Sequence, residues 1–458
     1  MKWRVVLELV GADGTAAVHE VSVGATVAEY APRMIGLTLA EGKHMLAAVQ
    51  RRLVEGQTED HCHRRRRCQR CGMRRPLKDL RSRRLVSLFG TVEVRAPRFA
   101  SCPCAVTCRR TFSPVAEIMP DRCTPEYERV VAKMGALLPY RRARTLLAEF
   151  LPLGDPQTVE TTRRRTLRVG ARLEQEAVSA AGSNSAAAAK SIALSIDGGH
   201  VRAARQYQGR TFEVLLAQVS NDEGKQVVFS SVPAEATAQT RQLSNVLHGL
   251  GAMPATPVTI LSDGADGPRS LGEAASPGPT HHVLDWFHLS MRIQHAAQAA
   301  KSWPDVTADD RLAGNRLGET LERIRWRLWH GQVRRSLDLI EETAANLEAM
   351  TDDTASVAVA RKVARLLRDP ETYVSGQSEI IIDYATGRRC DKPISTAITE
   401  STVQWLLHRR MSAQQQMRWS PRGAHLMLKV RTASVNGTLD RDYAVAERWA
   451  RRPFRRAA

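Results

Sequence analysis

The 458-residue sequence contains no apolar run long enough to cross a membrane, which takes about 20 consecutive apolar residues. Its first residues alternate like a β-strand and lack the apolar core and cleavage site of a signal peptide. No long basic amphipathic helix stands out, which disfavours a membrane surface as partner. These absences predict a cytoplasmic protein that has no membrane partner.

Acidic residues are also scarce. The chain has 48 Asp and Glu against 67 Lys and Arg, which gives a formal net charge of +19. An excess this large favours a polyanionic partner, and nucleic acid is the commonest one. Because 43% of the residues are hydrophobic, which is ordinary, we expect a globular chain of about two to four domains.

Most of the eight cysteines lie in the most basic part of the chain, residues 51–110, which holds 17 Arg or Lys and 5 Asp or Glu. Cysteines in a long intracellular chain favour metal binding over disulfides. Arginines so poorly balanced by acids favour contacts with DNA phosphates, which add affinity without reading sequence. The candidate DNA-binding residues here are Arg64, Arg65, Arg66 and Arg67.

The cysteines form two groups on either side of a hairpin predicted over residues 85–94. Two cysteine pairs separated by a hairpin are typical of a zinc ribbon, in which four thiolates hold one structural Zn²⁺. The predicted ligands are Cys68, Cys71, Cys102 and Cys104. Cys108 competes with Cys104 for the fourth position. The spare ligands nearby are His61, Cys62 and His63.

Residues 124–178 have the pattern of three helices. Thr124-Pro125 is a helix start, because Thr caps and Pro suits the first turn. Pro139 begins the second helix, and the third runs from about 156 to 173. A trio with a basic third helix resembles a helix-turn-helix unit, whose last helix enters the major groove. The candidate DNA-binding residues are Arg163, Arg164 and Arg165.

After a small-residue linker the pattern changes to strands. The first predicted strand, 191–197, ends at Asp197 and is followed by two glycines that suit a tight turn. The fourth ends at Asp263, also before a glycine. Three strands, then helix, strand, helix and strand is the order of an α/β RNase H-like fold, in which the first and fourth strands are neighbours. Two adjacent carboxylates repel unless a cation lies between them, which suits Mg²⁺.

The rest of the chain is predicted to be helical around a third acid. Residues 301–379 have helical periodicity and form a helical insertion, in which Trp326 and Trp329 are expected to pack in a core or between domains. Glu400 precedes another helix. Its acid either complements the helix dipole or supplies a third metal ligand.

Several stretches together make the chain similar to a known family. They are Cys68-x-x-Cys-Gly72 with Phe89-Gly90 and Cys102-x-Cys104, Leu138 to Ala143, Ser195 to Gly199, Ser262 to Gly267, Leu284 to His288, Ile394 to Ala397 with Glu400-Ser401, and Gln415 to Trp419. In this order they resemble the bacterial insertion-sequence transposases of the ISKra type, within the Mutator-like DDE group. The resemblance covers nearly the whole chain from about residue 60. In place of the family's usual asparagine, Gln404 and Trp405 follow the glutamate.

The resemblance implies a catalytic triad of Asp197, Asp263 and Glu400, which would hold two Mg²⁺ (or Mn²⁺) ions for cleaving and joining phosphodiesters. It also implies auxiliary roles for Asp285 and His288. Asp285 is the alternative second acid, and Asp266 is a weaker one. The implied partners are double-stranded DNA, as terminal inverted repeats and target, and a second copy in a homodimer or larger assembly.

These predictions divide the chain into the following parts: an N-terminal hairpin and helix (1–60), a basic zinc-ribbon-like module (61–123), a helix-turn-helix-like DNA-binding domain (124–179), a linker (180–190), the RNase H-like core (191–300 with 380–440), its helical insertion (301–379) and a basic tail (441–458). Two other functions fit the same pattern. One is a zinc-containing DNA-binding regulator, and the other is an RNase H-like nuclease without strand transfer.

Overall fold

The computed structural model describes residues 2–10, 14, 16–25, 36–104, 111–153, 158–179, 187–235, 238–351, 355–395, 404–411 and 417–440. The chain forms two compact units, residues 1–170 with 437–458, and residues 171–436. The fold is mixed α/β, with three separate sheets and many helices. No described helix is both long enough and apolar enough to span a bilayer.

The first unit begins with the predicted hairpin, β1 (Lys2–Val10) and β2 (Ala16–Ala25), followed by α1 (Leu39–Arg65). The sequence predicts this helix over 27–55; residues 27–35 of that range lie outside the described residues, and the described helix starts at Leu39 and continues past the predicted end to Arg65. A capping box fixes the start, since the Thr38 side chain accepts the amide of Glu41 and the Glu41 carboxylate accepts the amide of Thr38.

The predicted hairpin over 85–94 is confirmed and is longer than expected. It comprises β3 (Leu77–Ser87) and β4 (Gly90–Ala100), and β5 (Thr111–Phe112) adds a short third strand. Gly90, at the turn, has φ of 121°, a conformation that strongly favours glycine. Alternate residues of β4 pack against α1 in a core that includes Val54, Cys62 and Val92.

A short helix that the sequence pattern does not reveal, α2 (Pro114–Ile118), comes next. The three predicted helices follow it as α3 (Pro125–Leu137), α4 (Tyr140–Phe150) and α5 (Val159–Ser179). The end of α5 belongs to the second unit. The predicted cap is present, because the Thr124 hydroxyl accepts the Tyr127 amide at 3.3 Å.

The second unit is built on a five-stranded sheet. Its strands are β6 (Ile192–Arg202), β7 (Thr211–Asn221), β8 (Gln226–Ser231), β9 (Val258–Ser262) and β10 (Thr280–Leu284). The order across the sheet is β10-β9-β6-β7-β8. The β6–β7 and β7–β8 pairs are antiparallel, and β6–β9 and β9–β10 are parallel. The first and fourth strands are therefore neighbours at the centre, as predicted.

The strand predicted to end at Asp197 does not end there. It continues through Gly198 and Gly199 to Arg202, and it stays paired with β7 throughout. Neither glycine has a positive φ. The pair of glycines therefore does not form the predicted turn, and the backbone hydrogen bonds to β7 hold the segment extended.

Helices cover the sheet and form the insertion. They are α6 (Gln239–Gly249), α7 (Asp266–Ala275), α8 (Trp286–Ala300), α9 (Ala308–Trp329), α10 (Val333–Glu348), α11 (Ala355–Gly376), α12 (Tyr384–Arg389) and α13 (Pro421–Val435). The predicted insertion is helical, and it shares one apolar core with α8 and the edge of the sheet. Trp329 lies in this layer, with its ring centroid 4.8 Å from that of Trp286, but Trp326 is 53% exposed and so does not pack in a core.

A buried polar cluster connects α13 to the rest of the second unit. His425 Nδ1 accepts the Val232 amide at 3.1 Å, and its Nε2 lies 2.9 Å from a Glu174 carboxylate oxygen. Since Nδ1 is the acceptor, the neutral ring carries its proton on Nε2 and donates it to Glu174. Lys429 Nζ donates to the carbonyl of Ser230 and to the side chain of Gln242.

Candidate active site and metal centre

Four cysteine sulfurs of the first unit meet at one point. The Sγ atoms of Cys68, Cys71, Cys102 and Cys104 all lie within 4.8 Å of one another. Cys71–Cys102 is 3.1 Å, and Cys68–Cys104 is 3.4 Å. Tetrahedral Zn²⁺ with Zn–S bonds of about 2.3 Å requires sulfur separations of about 3.8 Å, so this donor set has the size and chemistry of a zinc site.

The first pair of cysteines lies in a tight turn after α1. The Gly72 amide donates to the Cys68 carbonyl at 2.8 Å, and Gly72 has φ of 75°. Amide groups of Cys71 and Arg70 donate to the Cys68 sulfur and lower the pKa of this thiol to about 6. The loop thus stabilises a thiolate, which is the form that binds metal.

The second pair follows β4, so the sheet carries it to the first pair. Hydrogen bonds with the neighbouring sulfurs, chiefly that of Cys102, raise the pKa of Cys104 to about 12. Four adjacent thiolates repel one another, and a divalent cation among them would remove that repulsion. The residues present therefore fit one Zn²⁺.

The alternative zinc ligands fall elsewhere. Cys62 packs in the core between α1 and β4, where burial raises the pKa of its thiol. The Nε2 of His61 is 3.7 Å from the Glu117 carboxylate, and the side chain of His63 is exposed. Cys108 lies outside the described residues. Of the described cysteines, the four predicted ones form the cluster.

Three aspartates of the second unit lie at or just beyond the paired ends of neighbouring strands. The parallel register pairs Ser195 with Leu261 and Ser262 with Leu284, and it ends there. Asp197 comes two residues after Ser195 inside β6, Asp263 comes directly after β9, and Asp285 comes directly after β10. Because β9 and β10 are parallel neighbours, Asp263 and Asp285 follow their strands at the same edge of the sheet.

Asp197 is 7% exposed and lies inside β6, where the sheet fixes its backbone. Its Oδ1 accepts the Gly198 amide at 2.8 Å. A Cβ on Gly199 would lie 2.5 Å from Cδ1 of Leu407, so the missing side chain lets Leu407 approach the strand. Gly199, two residues after Asp197, therefore serves close packing.

Asp263 follows β9 and is half-buried, which leaves its carboxylate more accessible than that of Asp197. Its Oδ1 accepts the Ala265 amide at 3.1 Å, and Gly264 has φ of 87°. The Tyr373 hydroxyl donates to the Asp263 carbonyl at 2.7 Å, and burial raises the pKa of this phenol. Tyr373 therefore stays a donor, and α11 of the insertion fixes the loop.

Asp285 caps α8. It is 0% exposed and accepts the amides of Phe287 at 3.0 Å and His288 at 3.4 Å. Nε2 of His288 lies 3.7 Å from Oδ2 of Asp285. Asp266 is the exposed first residue of α7. Asp285 is therefore a fully buried helix cap, whereas the carboxylate of Asp263 is only half-buried.

Glu400 lies outside the described residues, as do residues 401–403. Residues 404–411 are helical, beginning with the π-helical turn Gln404–His408. The Arg431 guanidinium donates to the carbonyls of Trp405 and Leu406, the latter at 2.9 Å.

The candidate DNA-binding arginines differ in their environments. Arg64 pairs with Asp60, Arg65 pairs with Glu117, and Arg163 and Arg164 both pair with Glu160. Arg66 is half-buried, and Arg165 lies over the Tyr127 ring at 5.1 Å. Arg67 is exposed and makes no ion pair with a described residue. The side chain of Arg165 thus packs on the Tyr127 ring, while the side chains of Arg67, Arg163 and Arg164 are exposed to solvent.

Sequence reasoning missed the residues that hold the site in place, namely Tyr373, Leu407 and Arg431. Tyr373 and Arg431 follow no motif, because their contacts join positions far apart in the chain. The Gly198-Gly199 pair was the available signal for Leu407, since a glycine inside a strand often marks a close approach.

No protein-family model matches the sequence, and no curated protein matches it either. Among solved structures, the chain is similar to a chain of the Drosophila P element transposase strand transfer complex. The likeness covers 69% of this chain and 93% of that chain, at 12% identity and a TM-score of 0.34. A TM-score this low does not define the fold or the function of this chain.

Proposed function

We propose that the protein is a DNA transposase with an RNase H-like core, which cleaves and joins phosphodiesters with a DDE triad of Asp197, Asp263 and Glu400. The observation that supports the proposal is that Asp197 lies on β6 and Asp263 directly follows β9, its parallel neighbour at the centre of the sheet. The strand order β10-β9-β6-β7-β8 agrees with that fold, and the sequence motifs resemble the ISKra-type transposases.

The carboxylates of Asp197 and Asp263, with Glu400, would hold two Mg²⁺ or Mn²⁺ ions, since hard cations prefer carboxylate oxygen. When bound, such ions activate water or a DNA 3′-hydroxyl and neutralise charge that develops on the phosphate. Asp197 would be a rigidly held metal ligand because it lies inside a paired strand. Asp263 would be the second ligand, and its loop is oriented by Tyr373 and Gln377, which donate to the carbonyls of Asp263 and Gly264.

DNA would be held by the basic first unit. There the zinc-ribbon-like cluster stiffens the loop that follows α1, next to Arg67. Arg163 and Arg164 on α5 supply further phosphate contacts, and His288 supports the catalytic site or the DNA end. The proposed partners are terminal inverted repeats and target DNA, bound by a homodimer or larger assembly.

The test uses matched Asp→Asn variants, because Asn keeps the backbone hydrogen bonds and removes only the charge. The substrate is a supercoiled plasmid that carries the genomic DNA flanking the gene. Asp197→Asn and Asp263→Asn should abolish Mg²⁺-dependent cleavage and retain binding in a gel-shift assay, as should Glu400→Gln. Glu319→Gln, an exposed carboxylate on α9, is the control and should cleave normally.

Asp285→Asn identifies the second acid, because Asn caps a helix as well as Asp does. Activity retained in Asp285→Asn and lost in Asp263→Asn supports the assignment, and the reverse pattern moves the second ligand to Asp285. Cleavage without joining would indicate an RNase H-like nuclease. Binding without any metal-dependent cleavage in the unmodified protein would contradict the catalytic proposal.

A further inference from the structure

The N-terminal hairpin presents an open edge along β1. In the described part of the chain, β1 pairs only with β2. The β2 strand is interrupted by a bulge, because Val5 pairs with Ser22 and Val6 pairs with Glu20, which leaves Val21 without a partner position. A bulge protects an edge from further pairing. The β1 strand has no bulge and no proline, so its edge is free to accept another strand.

The sequence of β1 is self-complementary about Val6. If β1 pairs antiparallel with β1 of a second copy, across a two-fold axis at Val6, residues equally far from Val6 face each other. Arg4 then faces Glu8 of the second copy, and Glu8 faces its Arg4. On the opposite face of the strand, apolar residues meet apolar residues: Trp3 faces Leu9, and Val5 faces Leu7.

The burial of β1 agrees with this register. The face that carries Trp3, Val5, Leu7 and Leu9 is only half-buried against α1, although all four side chains are apolar. On the other face, Val6 is 47% exposed. A second β1 would extend the apolar layer on one face and bring the two Val6 side chains together on the other. A one-residue slip would set charged residues against this apolar face, so the pattern fixes the register.

We propose that β1 is a dimerisation strand, which pairs antiparallel with β1 of a second copy to form a four-stranded sheet with Arg4–Glu8 ion pairs on its outer face. The proposal assigns a function to residues 2–25, for which the motifs of the chain predict none. It involves only the hairpin of the first unit and does not depend on the catalytic proposal.

Charge reversal in the full-length protein tests the pairing, measured by sedimentation equilibrium without DNA. In Arg4→Glu, both cross-strand pairs become Glu–Glu, and in Glu8→Arg both become Arg–Arg. Opposite charges that face each other across two strands stabilise the pairing and like charges destabilise it, so reversing both pairs should weaken self-association about tenfold. The double variant Arg4→Glu/Glu8→Arg restores both pairs and should associate like the unmodified protein.

The two single variants should also complement each other. A mixture of Arg4→Glu and Glu8→Arg, each with a different tag, has only opposite charges across the axis and should form heterodimers in preference to either homodimer. Both side chains are exposed, so the variants should melt at the temperature of the unmodified protein. The control is Glu20→Arg, an exposed charge reversal on β2, which should dimerise normally.

Three results would count against the proposal. One is an unmodified protein that stays monomeric at about 100 µM, a concentration at which even weak specific association is measurable. Another is a dimer whose affinity is the same in both single variants, because that dimer would use another surface. Loss of association in the single variants without recovery in the double variant would also count against this register.

Discussion

Gly199→Ala gives the sharpest test of how residues 404–411 pack on β6. A Cβ at this position would lie 2.5 Å from Cδ1 of Leu407, whereas apolar carbon atoms in contact are about 3.5–4.0 Å apart. Leu407 must therefore move by about 1 Å or more. Leu407 is only 2% exposed, so its side chain must shift within closely packed surroundings.

The expected cost is about 1–3 kcal/mol of unfolding free energy, the usual range for overpacking a core. Gly198→Ala is the matched control. The nearest atoms to its new Cβ would be Glu213 Oε1 at 3.5 Å and Leu215 Cδ2 at 4.0 Å, which are ordinary contacts. Since alanine also restricts the unfolded chain, Gly198→Ala should be neutral or stabilising by up to about 1 kcal/mol.

Urea denaturation of both variants measures the difference. A double variant, Gly199→Ala/Leu407→Ala, tests the contact itself. Removing the Leu407 side chain relieves the overlap, so the double variant should be more stable than the sum of the single effects, by about 1–2 kcal/mol. If Gly199→Ala is as stable as Gly198→Ala, Leu407 does not depend on the glycine and the packing argument fails.

Two further predictions concern the metal and the pH. Elemental analysis should find about one zinc per chain. A chelator or the Cys71→Ser variant should remove the zinc and destabilise the protein. The control is Cys390→Ser, which changes an exposed cysteine outside the cluster and should retain the zinc. A metal-free protein that is indifferent to chelator would contradict the zinc site. Burial, together with Lys429 and Arg422, lowers the pKa of His425 to about 4, although Glu174 opposes the shift. Between pH 6.5 and 4 the folded state then binds fewer protons than the unfolded state. As the pH is lowered through this window, the free energy of unfolding should therefore decrease by up to about 3 kcal/mol, and the decrease should be smaller in His425→Gln. Equal pH slopes for the two proteins would rule out His425 as the cause.

Local patterns of the sequence determined many of the elements. The Thr124 cap, the strand alternation around Asp197 and the Cys-x-x-Cys knuckle each depend on neighbours within a few residues, so the elements they predict are present. The strand order also followed, because the succession of strands and helices leaves few arrangements in which β6 and β9 are not adjacent.

Tertiary structure alone decided the rest. Gly198-Gly199 suits a turn locally, but pairing with β7 keeps it extended, and the space it leaves is filled by Leu407 from much later in the chain. Trp326 and Trp329 lie three residues apart on one helix, yet Trp329 is partly buried with its ring against that of Trp286, whereas Trp326 is exposed. Asp263 and Asp285 are both acids at strand ends, and only the contacts of each side chain distinguish an accessible carboxylate from a buried helix cap. Such differences arise from residues distant in sequence, so the sequence could supply the candidate acids while the folded chain decided their surroundings.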